Sequence, residues 1–467
     1  MDNTTGAAAN QDIVIENVQT DSITVKVNGE MQEIKNGFEE LKALLATLNA
    51  ENFKSGDKIY NIGSITNATF SAEIGKKTFN MLLCRKLTEA IQDYSADAKS
   101  FLAAIKDSDK GNWETQSRYT RKANAYIISS YVGVLGILLR KLIASGQDAS
   151  SSGNQKDYLE VCIATTKRTL QLLCFAFISR LWDLSTDKPQ ALGNDQLNAL
   201  DNFFNSPVEL NITDYVTLFK TMVSFFKEQQ LDYPFSEIKE MEAALNDGST
   251  FLTNCKNLQA ISDKLDAGQY TLSTAFEAET ELTEFLVTLK FLANYKMISV
   301  KDIAYEEIRS NTAQYLHAYT FLGVDNDSNM YSQKFKYDNN PISTDSILLF
   351  KDKYQDGLNL FPFIIDINAL TNELEVKICF YTYYEENKKR LAYSDINKIS
   401  SDKNDNENNI QDPSEVAITY NEEIENDIKA SVDRDITRFK SDVKRFHDMQ
   451  LNVVYKTFQL AKNIIVS

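Results

Sequence analysis

The stretch Ala123-Asn-Ala-Tyr-Ile-Ile-Ser-Ser-Tyr-Val-Gly-Val-Leu-Gly-Ile-Leu-Leu139 decides how this chain is read, together with its neighbour Leu170-Gln-Leu-Leu-Cys-Phe-Ala-Phe-Ile-Ser-Arg-Leu-Trp182. The two read as helices joined by a polar turn over 145–154, the second starting near Tyr158. Helices that are apolar nearly all round are buried, either in a large core or in lipid. The first offers about 17 residues before Arg140, the lower limit for a span, and it contains Asn124, Ser129 and Ser130. The second is interrupted by Glu160, Lys167 and Arg168, each costly at a bilayer centre. The expectation is a pair of core helices in a bundle. The alternative is a hairpin stored in the core and released onto a membrane, with Val132, Val134, Leu135 and Leu138 as the inserting residues. The spacing Gly133–Gly136 would then allow close helix contact.

The composition agrees with a helical body. The chain has 467 residues, room for two or three domains, with 43% hydrophobic and 25% charged residues. Only 6 Pro and 16 Gly punctuate it, and both residues break helices. The formal charge of −17 repels phosphate backbones, so nucleic-acid binding would need a local basic face. The nearest candidates, Arg118-Tyr-Thr-Arg-Lys122 and Lys388-Lys-Arg390, are short and read as a solvated helix end and a hairpin tip. Five cysteines without a CxxC do not form a disulfide framework. Met1 to Asn10 lacks the basic and apolar regions of a signal peptide. A cytoplasmic location is expected.

Working outward, residues 1–12 are small and polar and read as disordered. Ile23-Thr-Val-Lys-Val27 and Glu30-Met-Gln-Glu-Ile34 flank Asn28-Gly29, the strongest short hairpin signal. From Phe38 the period becomes helical, with Leu41, Leu44, Leu45 and Leu48 on one face. Helical patterns fill most of 76–321, including Val300 to Phe321 as a last helix and an exposed acidic face at Glu277, Glu279, Glu281 and Glu284. Strand patterns follow at 346–350, 358–367, 376–384 and 390–393, with Pro362 marking an edge or a bend. A polar linker covers 401–413. Residues 414–465 lack Gly and Pro and read as a long helix, its stripe Val432, Ile436, Phe439, Val443 and Phe446 docking back on the bundle.

The run Gly56-Asp-Lys-Ile-Tyr-Asn-Ile62, followed by Asn67-Ala-Thr-Phe70, resembles leader segments of bacterial conflict-system proteins. Those are the multidomain NTPase, caspase-like and trypsin-like members that carry small effector-associated adaptor domains. The resemblance covers about the first fifth of the chain. It implies a role in bacterial immunity or signalling and no particular reaction. On that reading Ile59, Tyr60, Ile62 and Phe70 are the partner-binding residues. As a plain connector, the same run would anchor Ile59, Ile62 and Ile65 to the main body.

Motifs for chemistry are missing. His317 reads as a core histidine on an apolar helix and His447 as a solvent-facing one, neither beside a nucleophile motif. Zinc ligands would have to be gathered from afar. Gly75-Lys-Lys-Thr78 lacks the first P-loop glycine, since Phe70 stands there. Asp325-Asn-Asp-Ser-Asn329 begins like a calcium loop, but Met330 replaces its glycine and Lys336 its glutamate. No catalytic, cofactor or metal residue is assigned.

The expected architecture is mainly α. A hairpin-helix adaptor (1–70) precedes a helical bundle (71–323), a small antiparallel β module (324–400), a linker (401–413) and a long C-terminal helix (414–467). The expected function is a non-enzymatic sensor or adaptor in antiphage defence. It would work through a protein partner, an effector enzyme or NTPase of the same system, with self-association possible and no nucleic acid. A pore-forming effector using residues 119–185 is the second expectation, and a hydrolase in the C-terminal module the third.

Overall fold

The computed structural model describes residues 13–18, 23–27, 30–34, 38–48, 50–55, 58–63, 79–107, 113, 116–152, 155–307, 312–323, 334–370, 376–398, 415–425 and 443–466. The fold is mainly α, with small sheets near both ends and a long C-terminal helix, as the sequence patterns require.

The N-terminal unit is richer than a hairpin. Strands β1 (Ile13–Val18), β2 (Ile23–Val27) and β3 (Glu30–Ile34) form a meander. Val27 pairs with Glu30, so β2 and β3 pair as the sequence pattern suggests, while Asn28 and Gly29 lie outside the described residues. Helix α1 (Phe38–Thr47) then carries the chain across to β4 (Asn52–Ser55), which runs parallel to β1, and β5 (Lys58–Asn61) closes a second hairpin. The sheet order is β3-β2-β1-β4-β5. Phe38, Leu41 and Leu45 of α1 bury against Ile13, Ile15, Val25, Val27, Ile34 and Phe53, a core separate from that of the main body.

The helical body comprises α2 (Met81–Ile91), α3 (Ala96–Asp107), α4 (Ser117–Ser130), α5 (Gly133–Ser152), α6 (Gln155–Asp187), α7 (Asn194–Asn205), α8 (Ile212–Glu228), α9 (Thr250–Asp266) and α10 (Leu272–Thr288). The first apolar stretch is thus two helices, broken at Tyr131-Val132, and the polar run after Ser145 is helical up to Ser152. Asn211 caps α8, its side chain accepting from Asp214 N at 2.9 Å. The cap satisfies a donor that the helix start leaves unpaired.

Helix α6 is the axis of the molecule. It packs against α5, α8, α9 and α10, and against the sheet strands that follow. Phe175 meets Phe203, Phe363 and Phe380, while Phe177, two positions on, meets Phe219, Phe226 and Tyr233. Surrounded on every side, the helix needs no polar stripe. Burying each such ring stabilises the fold by about 2–3 kcal/mol. Lys167 and Arg168, which made α6 a poor membrane span, both pair with Glu209, at 3.8 and 2.7 Å. By length and composition α6 is a helix apolar enough to cross a membrane, and 83% of its most apolar stretch is buried within the protein.

The segment expected as a last helix is instead a pair of strands, β6 (Lys296–Glu306) and β7 (Gln314–Phe321). The reason is residue type. Ile298, Val300, Ile303, Tyr315, Tyr319, Thr320 and Phe321 are β-branched or aromatic and favour a pleated surface, and no Gly or Pro marks the change. With β8 (Lys334–Asp338), β9 (Ile347–Phe350) and β10 (Leu358–Asn359) they form a sheet ordered β10-β9-β6-β7-β8. The bend expected at Pro362 is present. The cis Phe361–Pro362 bond leads from the edge strand β10 to β11 (Ile364–Asp366), an edge of the next sheet. That sheet, β11-β12-β13-β14, adds β12 (Ile378–Glu385), β13 (Arg390–Asp395) and β14 (Glu415–Thr419). Residues 415–419 were expected in the long helix. The C-terminal helix α11 spans Val443–Val466. It docks on the body through Val454, Phe458, Ala461 and Ile465, and the side chains of Val443 and Phe446 are outside those described. Val432, Ile436 and Phe439 lie outside the described residues. Phe380, Tyr381, Tyr393 and Phe458 share one continuous core with α6 and its neighbours. The β module, the C-terminal helix and the bundle are therefore not separated by core boundaries.

Candidate interaction face

Helix α1 covers one side of the N-terminal sheet. On the other side the strand registers line up a single row across all five strands. Met31 of β3 pairs with Lys26 of β2, Lys26 with Val14 of β1, Val14 with Lys54 of β4, and Lys54 with Ile59 of β5. Residues directly opposite one another share a face. Burial agrees, because Ile13, Ile15, Val25, Val27 and Phe53, their neighbours along the strands, all point into the core. Ile59 is 75% exposed and Met31 58%. Lys54 is exposed, and Val14 and Lys26 are half-buried. An apolar–lysine–apolar–lysine–apolar stripe therefore faces outward. Its two exposed apolar residues, Met31 and Ile59, stand at opposite edges of the sheet, with Lys26, Val14 and Lys54 between them.

Of the four residues singled out in the sequence, Ile59 lies in this row. It does not anchor the strand to the main body. Tyr60 turns to the other face and stacks on Phe53, with ring centroids 5.5 Å apart, and Ile62 packs against the same small core. Phe70, Ile65 and Gly75 to Thr78 lie outside the described residues. Val14, Lys26, Met31 and Lys54 were missed. Their signal was present in the alternation of Ile13-Val-Ile15 and Val25-Lys-Val27, but the row requires the β1–β4 register, which no local pattern shows. The candidates for membrane insertion, Val132, Val134, Leu135 and Leu138, are all buried in the main core.

The other polar constellations are buried. Asn80, held in the left-handed conformation at φ 70°, donates its N–H to Glu279 at 3.0 Å, and the Tyr158 hydroxyl donates to both. The Asn80 amide reaches the Ile143 carbonyl at 3.2 Å, so the knot ties α2, α5, α6 and α10 together. Glu279 is only 3% exposed. The acidic face expected on α10 therefore does not form, and Glu277, Glu281 and Glu284 are half-buried. All five cysteines are buried and none is in a disulfide. Burial pushes the thiols of Cys162, Cys174, Cys255 and Cys379 above their ordinary range, away from the reactive thiolate form. His317 lies on β7, not on a helix, and its Nε2 accepts from Ile342 N at 2.9 Å. Burial lowers its pKa, opposed by the Asp338 carboxylate. His447 is half-buried on α11.

At the junction of the last two sheets, Lys301 on β6 pairs with Asp366 on β11. Asp366 also accepts from Ser299 Oγ at 2.8 Å and from Lys377 N at 2.9 Å. Asp345 lies beside this pair at φ 75°. Burial, reinforced by the Asp366 carboxylate and opposed by Lys301, raises its pKa to about 6. A carboxyl whose pKa is higher in the folded state loses stability as pH rises through that folded value. Asp345→Asn, which tolerates the left-handed backbone, is therefore expected to stabilise the protein by about 1–3 kcal/mol at pH 8. The gain should shrink as pH falls from 6 towards 4, read by urea denaturation across that range.

The two basic runs behave as expected from the sequence. Arg118, Arg121 and Lys122 are exposed on α4. Lys388, Lys389 and Arg390 at the β12–β13 hairpin tip are paired with Glu385, Glu422 and Glu415. Among the described residues no group of three or more His, Cys, Asp or Glu side chains is placed to hold a metal ion. Comparison with protein-family models, with curated proteins and with solved structures finds no match to this chain.

Proposed function

We propose that this chain is a non-enzymatic sensor or adaptor of a bacterial antiphage defence pathway. It acts in the cytoplasm by binding a protein partner, an effector enzyme or NTPase of the same system. One observation carries the reading: a small N-terminal unit with its own core turns an aligned apolar and basic row outward. The resemblance of Gly56 to Phe70 to conflict-system leader segments supports the pathway. The burial of α6 and of Val132, Val134, Leu135 and Leu138 in the main core is common to a permanent core and to a hairpin stored in it, and the outward row is what favours the partner-binding role. The test is phage challenge of a bacterium carrying the native locus. Ile59→Asp changes an exposed side chain and should alter stability by less than about 0.5 kcal/mol, yet abolish protection. Unchanged protection, or release of dye from vesicles by the purified wild-type chain, would count against the adaptor role.

A further inference from the structure

We propose that His317 latches a strap, residues 339–346, over the outer face of the β10-β9-β6-β7-β8 sheet, and that acid releases it. This device goes beyond the adaptor reading and stands or falls separately from it.

The sheet is covered on both faces. Met297, Ile347 and Leu349 belong to the main core. Ile298, Val300, Leu348 and Phe350 form a separate small cluster with Tyr354. The strap joins β8 to β9, and its Ile342 packs on that cluster. Both ends of the strap are tied. Asn340 N donates to Asp338 Oδ1 at 3.1 Å, Asp345 N to Val300 O at 3.1 Å, and Val300 N to Ser346 O at 2.9 Å. The middle is held to the sheet by a side chain: Ile342 N donates to His317 Nε2 at 2.9 Å.

That bond fixes the state of the imidazole. An Nε2 that accepts keeps its lone pair, so the ring is neutral and its proton sits on Nδ1. His317 is fully buried, and its Nδ1 has no hydrogen-bond partner. A second proton would go onto Nε2, against the Ile342 N–H. Charging the ring therefore breaks one bond and gains none.

The groups around the ring are few. Opposite His317 stand the apolar Ile303 on β6 and Lys336 on β8. The Lys336 ammonium lies over the Tyr354 ring, 5.0 Å from its centroid. The turn after β9 offers Tyr354, edge-on to the imidazole at 6.4 Å. Burial disfavours the imidazolium, and the Asp338 carboxylate opposes that effect without reversing it. A histidine held below its ordinary range contributes stability that is present above that range and lost as pH falls through it. Within the strap Asp345 titrates in the opposite sense. Its carboxyl, pushed up to about 6, takes a proton as pH falls and favours the closed strap.

The test is hydrogen exchange of the full-length chain, read by mass spectrometry and corrected for the pH dependence of exchange in an unstructured peptide. Asp345→Asn silences the opposing titration and is the background of choice. In it, protection of peptides covering 339–346 should fall about fivefold or more from about pH 7.5 to about pH 5, while peptides from α6 keep theirs. The wild type should show a smaller fall in the same direction or none. His317→Gln in the same background presents an amide oxygen that can accept from Ile342 N and does not titrate, so the fall should vanish. Asp338→Asn keeps an acceptor for Asn340 N but removes the charge that favours the imidazolium, so opening should move to lower pH. Constant protection in the Asp345→Asn chain overturns the proposal, as does a His317→Gln chain that opens with acid to the same extent. If His317→Gln does not fold, Asp338→Asn decides: an opening midpoint that stays or rises overturns the latch.

Discussion

Gly133→Ala is expected to remove about 3 kcal/mol or more of stability, enough to abolish soluble expression of many proteins. Gly133 is the first residue of α5. A Cβ there would lie 1.3 Å from the Leu322 carbonyl oxygen and 2.2 Å from its carbon. Both are backbone atoms, so no rotamer change relieves the overlap. The backbone on either side is also fixed: Val132 N donates to Leu292 O at 3.2 Å, and Leu322 N to Met297 O at 2.9 Å. The helix start and the end of β7 would have to separate, opening the main core. Gly323→Ala is the control. Its Cβ meets nothing within 4 Å, and its effect should stay within about 0.5 kcal/mol. Urea denaturation of the two variants gives the comparison. A Gly133→Ala protein as stable as the Gly323→Ala protein would show that this contact is not as described.

Lys301→Met is the second large effect, with an expected loss of about 3–5 kcal/mol. The lysine side chain is 5% exposed and that of Asp366 0%. Removing the ammonium leaves a carboxylate in a low-dielectric interior without its counter-charge. Adding Asp366→Asn to that background should recover at least half the loss. The amide oxygen still accepts from Lys377 N and Asn368 N, which Asp366 now satisfies at 2.9 and 3.2 Å, and no charge is stranded. A loss below about 1 kcal/mol in the single variant would mean that water already reaches the pair.

What was legible in the sequence follows the range of the forces involved. The Asn28-Gly29 hairpin is a two-residue conformational matter, and its strands pair as read. The burial of α6 followed from an apolar run too polar at Lys167 and Arg168 for lipid, and Glu209 supplies their counter-charge. The failures lie where tertiary context decides. Residues 300–321 carry no breaker to distinguish strand from helix, and only their β-branched and aromatic content pointed to β6 and β7. Glu279 looked like one more surface acid, because its partners Asn80 and Tyr158 are distant in the chain. The same holds for the candidate face. Ile59 could be singled out locally, but Tyr60 and Ile62 belong to the small core, and the row around Ile59 exists only through the parallel β1–β4 pairing.

On the proposed function the molecule acts through the outward face of its N-terminal sheet while α6 stays inside the protein. The most direct measurement is quantitative co-purification of the full chain from its native cells, wild type against Ile59→Asp. One protein should accompany the wild type in near-stoichiometric amount and be missing from the Ile59→Asp preparation, with both chains recovered equally from the soluble fraction. The same companions in both preparations, or a wild-type chain recovered with the membrane fraction, would contradict the account.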